Sequence, residues 1–342
     1  MKYFYTIVLS LICFSTIHAQ KLKFAYDVDL HIFFDNREYK SEFQQSQTVF
    51  GSRIAPDLGV QFLGNNYIMA GINYLQEFGH KSFDTRPEYT LYYKYSNDWF
   101  NGIGGSFNRR FVKGDYPFSM FSDLVPYYDP NIDGCLFQFH NKKAWFEFFC
   151  DWFGRQDEKV REKFMLATSA EYKHKMFFAG YNFYMIHYAG TTAADSLIDN
   201  GVAYPYAGVD FTPIVPAMKK LYIKGGLMCG LEQVRATGEG FRATPGIQIE
   251  LEAQWKMIGL KNTFRTGKGM MVNWGKFDDE YNTLYWGDPY YRAKNYNRLD
   301  LYWQIAKTKY VDFKLQSVFH SDGKVLADWQ QMLTLRVNIN NQ

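Results

Sequence analysis

The residues with types and spacing suited to chemistry fall into three groups: histidines beside hydroxyls or acids, one acidic run, and charges recurring at every second position. His187 and the adjacent His320–Ser321 pair are imidazole bases of the kind that activate a hydroxyl nucleophile. Neither lies in a G-x-S-x-G elbow, and neither has a third orienting partner in view, so both read as rim histidines. His31 shares a period-two face with Asp27 and Asp29; an imidazole among carboxylates titrates within reach of neutral pH, but the default here is a hydrated side chain. Asp278-Asp279-Glu280 offers carboxylate oxygens to a hard cation such as Ca²⁺. Its spacing matches no loop consensus and reads as a solvated acidic loop. Beyond the first 19 residues the cysteines are Cys135, Cys150 and Cys229. They form no CxxC pair or metal-ligand spacing, and the odd count argues against a disulfide framework. Phosphate-loop, zinc and dinucleotide patterns are missing. No catalytic residue, metal or cofactor is assigned, and the expectation is that the protein is not an enzyme.

The third group is larger. Arg53, Asp57, Lys94, Arg110, Glu147, Asp151, Glu250, Glu252, Lys261, Arg265, Arg298, Asp300, Asp312, Lys314 and Arg336 each sit across from an apolar run. The clearest case has Ile247, Ile249, Leu251, Ala253 and Trp255 alternating with Gln248, Glu250, Glu252 and Gln254. Near the end of the chain, Leu299, Leu301 and Trp303 oppose Arg298, Asp300 and Tyr302, and Leu333, Leu335 and Val337 oppose Thr334, Arg336 and Asn338. Successive strand side chains point to opposite faces, so this period means one apolar and one polar face. A soluble sandwich turns the apolar face inward. A membrane barrel turns it outward and lines its interior with the charges.

The elements that must position these residues can be marked by the same alternation. Strands are predicted over 24–34, 53–62, 67–76, 88–95, 99–111, 135–139, 143–152, 162–172, 176–188, 202–214, 221–231, 247–255, 259–265, 298–305, 311–316 and 332–340. Pro205 and Pro213 weaken the tenth within a sheet and the sixth is short, so fourteen strands stay open beside sixteen. Every second connection is tight: Gly64-Asn65-Asn66, Ser96-Asn97-Asp98, Asn141-Lys142, Lys173-His174-Lys175, Ala217-Met218-Lys219, the Met257 region and 306–309. The intervening connections are long. A stacked sandwich has no reason to sort its loops by length, whereas a barrel with short turns at one end and long loops at the other does so.

Composition suits a transmembrane barrel and a large soluble all-β protein alike, and does not decide between them. Aromatics make up 19%, with 27 Tyr and 31 Phe, while mean hydropathy is only −0.35. Residues 1–19 read as a secretory signal, with Lys2, the apolar stretch 7–14 and a small-residue site at Ala19, leaving 20–342 as one domain. No later run is long and uncharged enough for a transmembrane helix, which needs about 20 residues. Net charge is +3 with both signs interspersed, which argues against nucleic acid. Tyr67, Trp99, Trp145, Tyr172, Phe177, Tyr222, Trp255 and Tyr310 fall beside the tight turns and are expected to form an interfacial aromatic belt.

On this pattern nearly the whole chain resembles the outer-membrane β-barrel proteins of Gram-negative bacteria, porin-like ones in particular. It departs from them at its last residue, Gln342, where such barrels commonly end in an aromatic. The resemblance implies an all-β, transmembrane, antiparallel up-and-down barrel of about sixteen strands. It would sit in the outer membrane against lipid and act as a channel for passive or weakly selective passage of small polar solutes, its lumen lined by the fifteen charged residues above. Homo-oligomerisation is left open. So is whether the aromatic-rich loops 113–133 and 270–292 constrict the pore. The alternatives are a structural or assembly barrel presenting its loops to a partner, and a lipid-modifying barrel enzyme. The enzyme would carry Ser and His on the lipid-facing wall, with His187 and His320–Ser321 as candidates.

Overall fold

Alternation alone makes strands, and pairing them into a ring removes the unsatisfied edges that a membrane would penalise. A computed structural model describes residues 22–191, 197–277, 279–323 and 326–342. The expected secretory signal at 1–19 and the side chains of Asp278, Asp279 and Glu280 lie outside the described residues.

The strands are β1 (Lys23–Glu38), β2 (Gln47–Phe62), β3 (Asn66–Glu77), β4 (Glu88–Ser96), β5 (Phe100–Asn108), β6 (Asn131–His140), β7 (Ala144–Gly154), β8 (Lys163–His174), β9 (Phe177–Tyr188), β10 (Ile198–Asp210), β11 (Met218–Val234), β12 (Arg242–Trp255), β13 (Ile258–Gly267), β14 (Asn295–Lys307), β15 (Val311–Ser321) and β16 (Leu326–Asn340). Each pairs antiparallel with its chain neighbours. β1 pairs with β16 from Asp27↔Asn340 to Glu38↔Trp329, closing a 16-strand barrel. The count is therefore sixteen. Pro205 is accommodated within β10, and the sixth strand is longer than the alternation alone marked. No helix among the described residues is long and apolar enough to cross a membrane.

The barrel is inside-out relative to a soluble fold. In β12 the buried residues are the polar set Thr244, Gln248, Glu250, Glu252 and Gln254, while Ile247, Ile249 and Leu251 are exposed. The same inversion exposes Leu227, Leu301, Trp303 and Leu315. An apolar outer wall belongs in hydrocarbon, where each charge placed on it would cost several kcal/mol. Trp99, Tyr172, Phe177, Trp255 and Tyr310 are exposed near the tight-turn end, as the belt requires. Three members of the expected belt are corrected: the alternation turns Tyr67, Trp145 and Tyr222 inward, because each shares its strand's polar face.

The loop sorting holds, with two departures. The β10–β11 connection on the tight side is extended by a 3₁₀ turn at Thr212–Ile214, and the β15–β16 connection on the long side is brief. The tight β2–β3 turn places Leu63 and Gly64 at φ 48° and 76°, the left-handed pair that lets a short hairpin follow the strand twist.

Candidate functional site

The inward faces gather the predicted charges. Arg53, Asp57, Lys94, Glu147, Asp151, Glu250, Glu252, Arg265, Arg298 and Asp300 are all buried inside the barrel. Lys261, Asp312, Lys314 and Arg336 occupy inward positions with more exposure, and Arg110 enters the lumen from the 3₁₀ turn that follows β5. They pair across the wall. Arg298 grips Asp300 through Nε and Nη2, Arg110 Nη2 lies 2.7 Å from Asp27, and Lys261 Nζ lies 3.6 Å from Glu250.

Much of the interior is not open water. The loop after β5 (109–130) and the loop after β13 (268–294) fold inward and clamp each other: Ser122 N–H donates to the Trp286 carbonyl at 2.8 Å and Asp288 N–H to the Phe118 carbonyl at 2.7 Å. The β13–β14 loop is sealed by buried Tyr281, Leu284, Tyr285, Tyr290 and Tyr291, with Glu232 accepting from Val272 N–H at 2.9 Å and from the Tyr285 hydroxyl. The β5–β6 loop is tethered by Glu147, which accepts from the N–H groups of Lys113 and Gly114 at 2.7 and 3.1 Å. Beyond that tether the Asp115 carboxylate reaches Lys224 Nζ at 3.0 Å. Enclosure by the surrounding barrel opposes its ionisation, yet the side chain itself is open to the lumen, and Lys261 and Lys224 hold the carboxyl below its usual range. Three cavities of about 250, 300 and 460 Å³ remain inside the wall, and Asp115 lines all three.

A second polar site lies on the outer wall. Register aligns Trp152 with Phe164, Phe164 with His187, His187 with Asp199 and Asp199 with Gln233, one row across β7 to β11. His187 and Asp199 occupy outward positions near the long-loop ends of β9 and β10. His187 Nδ1 lies 2.7 Å from Asp199 Oδ1. A carboxylate only accepts, so Nδ1 carries the proton, and in the neutral ring the lone pair is on Nε2. The other Asp199 oxygen accepts from Arg235 Nε and Nη2 at 3.0 and 2.8 Å. Phe164 packs on the imidazole at 4.9 Å between centroids, and Trp152 stacks on Phe164 at 4.8 Å.

This row alters the reading of His187, which does have an orienting partner. Asp199 lies across a strand pairing rather than nearby in the chain, and Arg235 beyond the next strand. The alternation begins the tenth strand at residue 202 and leaves Asp199 in the loop before it, so the sequence carries no signal of this pairing. His320 is corrected in the other direction. It is buried inside the barrel, stacked on Tyr290 at 4.5 Å and contacting Tyr296 and Gln330, so it does not face lipid. His31 is buried as well, packed beside Phe33 and Tyr127 rather than hydrated.

Against known proteins, the signature of the family described as Lipid A 3'-O-deacylase-type matches residues 15–341. The match overturns the expectation that the chain is not an enzyme, since that family is one of ester hydrolases. No curated protein matches by sequence. Among solved structures, a loop-L8 deletion mutant of OmpT, an outer membrane protein of Vibrio cholerae, is 9% identical with TM-score 0.52, covering 93% of this chain and 99% of that one. OprD from Pseudomonas aeruginosa is 10% identical with TM-score 0.49, over 94% and 96%. At such identities a likeness concerns fold alone, and the one to the OmpT variant agrees with the closed barrel.

Proposed function

The chain belongs to the lipid A 3'-O-deacylase-type family, and from that premise we propose that it hydrolyses an ester-linked acyl chain of an outer-leaflet glycolipid at its lipid-facing wall. The observation that carries this reading is the outward His187–Asp199 dyad, hydrogen-bonded at 2.7 Å. With the tight turns in the periplasm and the long loops outside the cell, the long-loop ends of β9 and β10 lie at the level of the outer leaflet, where headgroup and acyl chains join.

The division of labour follows from position. Asp199 holds the ring by Nδ1–H, so Nε2 faces the substrate as a general base. It takes a proton from water as the oxygen attacks the acyl carbonyl. Collapse of the tetrahedral intermediate breaks the acyl C–O bond, and the imidazolium returns the proton to the departing sugar oxygen. The products are a fatty acid and a free sugar hydroxyl. Trp152 and Phe164 offer an apolar track beside the ring for the chain. Arg235, half exposed, orients Asp199 and adds positive charge at the rim where anionic headgroups sit. The test is mass spectrometry of the glycolipid from cells making the intact protein or His187→Ala. Loss of the deacylated species with the variant supports the reading; an unchanged product pattern overturns it.

A second reading, passage of small polar solutes, is favoured by the charged interior cavities that meet at Asp115. Single-channel conductance of the purified barrel in a planar bilayer tests it, and inserted protein without conductance rules it out.

A further inference from the structure

The tight-turn end of the barrel carries lysines that neither the outer dyad nor the lumen uses. Hairpins there close through two-residue tips. Asn141 N–H donates to the Ala144 carbonyl around Lys142-Lys143, and Thr308 N–H to the Val311 carbonyl around Lys309-Tyr310, both at 2.8 Å. Register pairs His174 with Phe177 around Lys175-Met176, and Trp255 with Ile258 around Lys256-Met257. Lys142, Lys143, Lys175, Lys256 and Lys309 are all exposed. Lys175 and Lys256 hold φ 55° and 51°. Asn or Gly adopts that left-handed conformation at less cost, so turn geometry does not select a lysine there.

The acids of this end are already engaged. Asp210 pairs with Lys173, Asp312 with Lys307, and Glu252 with Lys220 at 2.8 Å. Glu171 lines a lumen cavity and accepts from the Tyr206 hydroxyl at 3.0 Å. Exposed Asp98 sits on the β4–β5 turn, which has no lysine. Lys219, on the β10–β11 connection, lines a lumen cavity instead. Among the described residues, none of the five tip lysines has an ion-pair partner. They adjoin the aromatic belt. Lys256 Nζ lies 4.5 Å from the Trp255 ring centroid and Lys309 Nζ 5.2 Å from that of Tyr310. Belt rings stand at headgroup level, which places these cations among lipid phosphates.

We propose that the five tip lysines bind the phosphates of anionic phospholipids in the periplasmic leaflet, along the wall from β6 to β15. A lysine ammonium is a compact charge with three donors and suits a phosphodiester. Phosphatidylcholine cancels its phosphate with its own choline, whereas phosphatidylglycerol does not. Each lysine at such a surface favours the anionic headgroup about fivefold. Exposed Met257, beside Lys256, adds an apolar contact at the same level. The assignment rests on the tight turns facing the periplasm. The dyad plays no part, so it stands or falls independently of ester hydrolysis.

Electron spin resonance tests this on the full-length barrel in phosphatidylcholine bilayers, with trace phosphatidylglycerol or phosphatidylcholine spin-labelled on the acyl chain. The motionally restricted fraction reports lipid held at the wall. Phosphatidylglycerol is expected to be favoured about threefold, averaged over the ring, and the preference should shrink at about 1 M salt. Replacing all five lysines by Gln should abolish the preference, and replacing them by Arg should keep it. The same change to Gln at Lys40, Lys81, Lys268, Lys276 and Lys294, on the long-loop end, should leave it in place, as should His187→Ala. Should the fivefold Gln variant fail to fold, Lys142→Gln with Lys143→Gln, and Lys256→Gln with Lys309→Gln, should each lose part of it. Equal restriction of the two lipids overturns the assignment. So does a preference unchanged in the folded tip variants, one lowered as much by the long-loop changes, or one removed by inorganic phosphate at constant ionic strength, which would mark a small-anion site.

Discussion

Arg298 on β14 and Asp123 on the β5–β6 loop, 175 residues apart in sequence, meet at 2.7 Å inside the barrel. The same guanidinium holds Asp300 and lies 3.6 Å from the centroid of Phe118. One wall residue thus pins the inward loop by charge and by ring face, and the loop cannot leave the lumen without giving up both contacts while Arg298 keeps Asp300.

That relationship sets a pH dependence. Burial raises the Asp123 carboxyl, but Arg298 outweighs it and the net position is below the ordinary 3.8. A group depressed in the folded state contributes stability above its unfolded value and loses it as pH falls through that value toward the folded one. Loop docking should hold from neutral pH to about 5 and weaken only below about 3.8. Protease protection of the 109–130 loop across a pH series measures this; release near pH 6 would contradict it.

Asp115 joins the inward loop to the far wall through Lys224. Asp115→Asn removes the charge at the point where the three cavities meet, while Lys224 keeps Glu250 at 3.4 Å. The expected outcome is a higher single-channel conductance with a shift toward anions, read as the reversal potential in a salt gradient. An unchanged reversal potential would show that Asp115 does not control the passage.

The outer dyad makes a graded prediction. His187→Ala should remove deacylation, whereas Asp199→Asn should leave binding but lower the rate by about 10²–10⁴-fold, the usual scale for a positioned base losing its orientation. Arg235→Gln should fall between intact protein and Asp199→Asn. Rates on a purified glycolipid in mixed micelles give the order.

The two faces of β11 should respond oppositely to charge. Leu227 faces outward at mid-strand, so Leu227→Arg should destabilise the barrel by about 2–4 kcal/mol. On the inner face Glu232→Gln should cost about 1–3 kcal/mol by weakening the acceptor that holds Val272 and Tyr285. Only the latter should expose the β13–β14 loop to protease. Urea unfolding in detergent micelles followed by tryptophan fluorescence distinguishes them.

The sequence by itself determined the wall. Period two over long runs assigns each residue a face whatever the tertiary context, which is why Ile247, Ile249 and Leu251 could be set against Glu250 and Glu252 before any strand was paired. Loop sorting then settled which face meets lipid. The strand ends were less legible: β2 begins at Gln47 and β6 at Asn131, because pairing to a neighbour extends strands through residues whose own pattern is irregular.

What only the tertiary structure decided are the meetings across pairings. His187 and Asp199 join because β9 and β10 pair in that register, and Arg235 reaches them from beyond β11. Arg298 finds Asp123 because a loop turns back into the lumen. Tyr67, Trp145 and Tyr222 stand beside tight turns just as Trp99 and Trp255 do, yet strand parity sends them inward. Alternation acts within one strand and can be read there. Contacts between strands depend on register and closure, which are set by the whole ring at once.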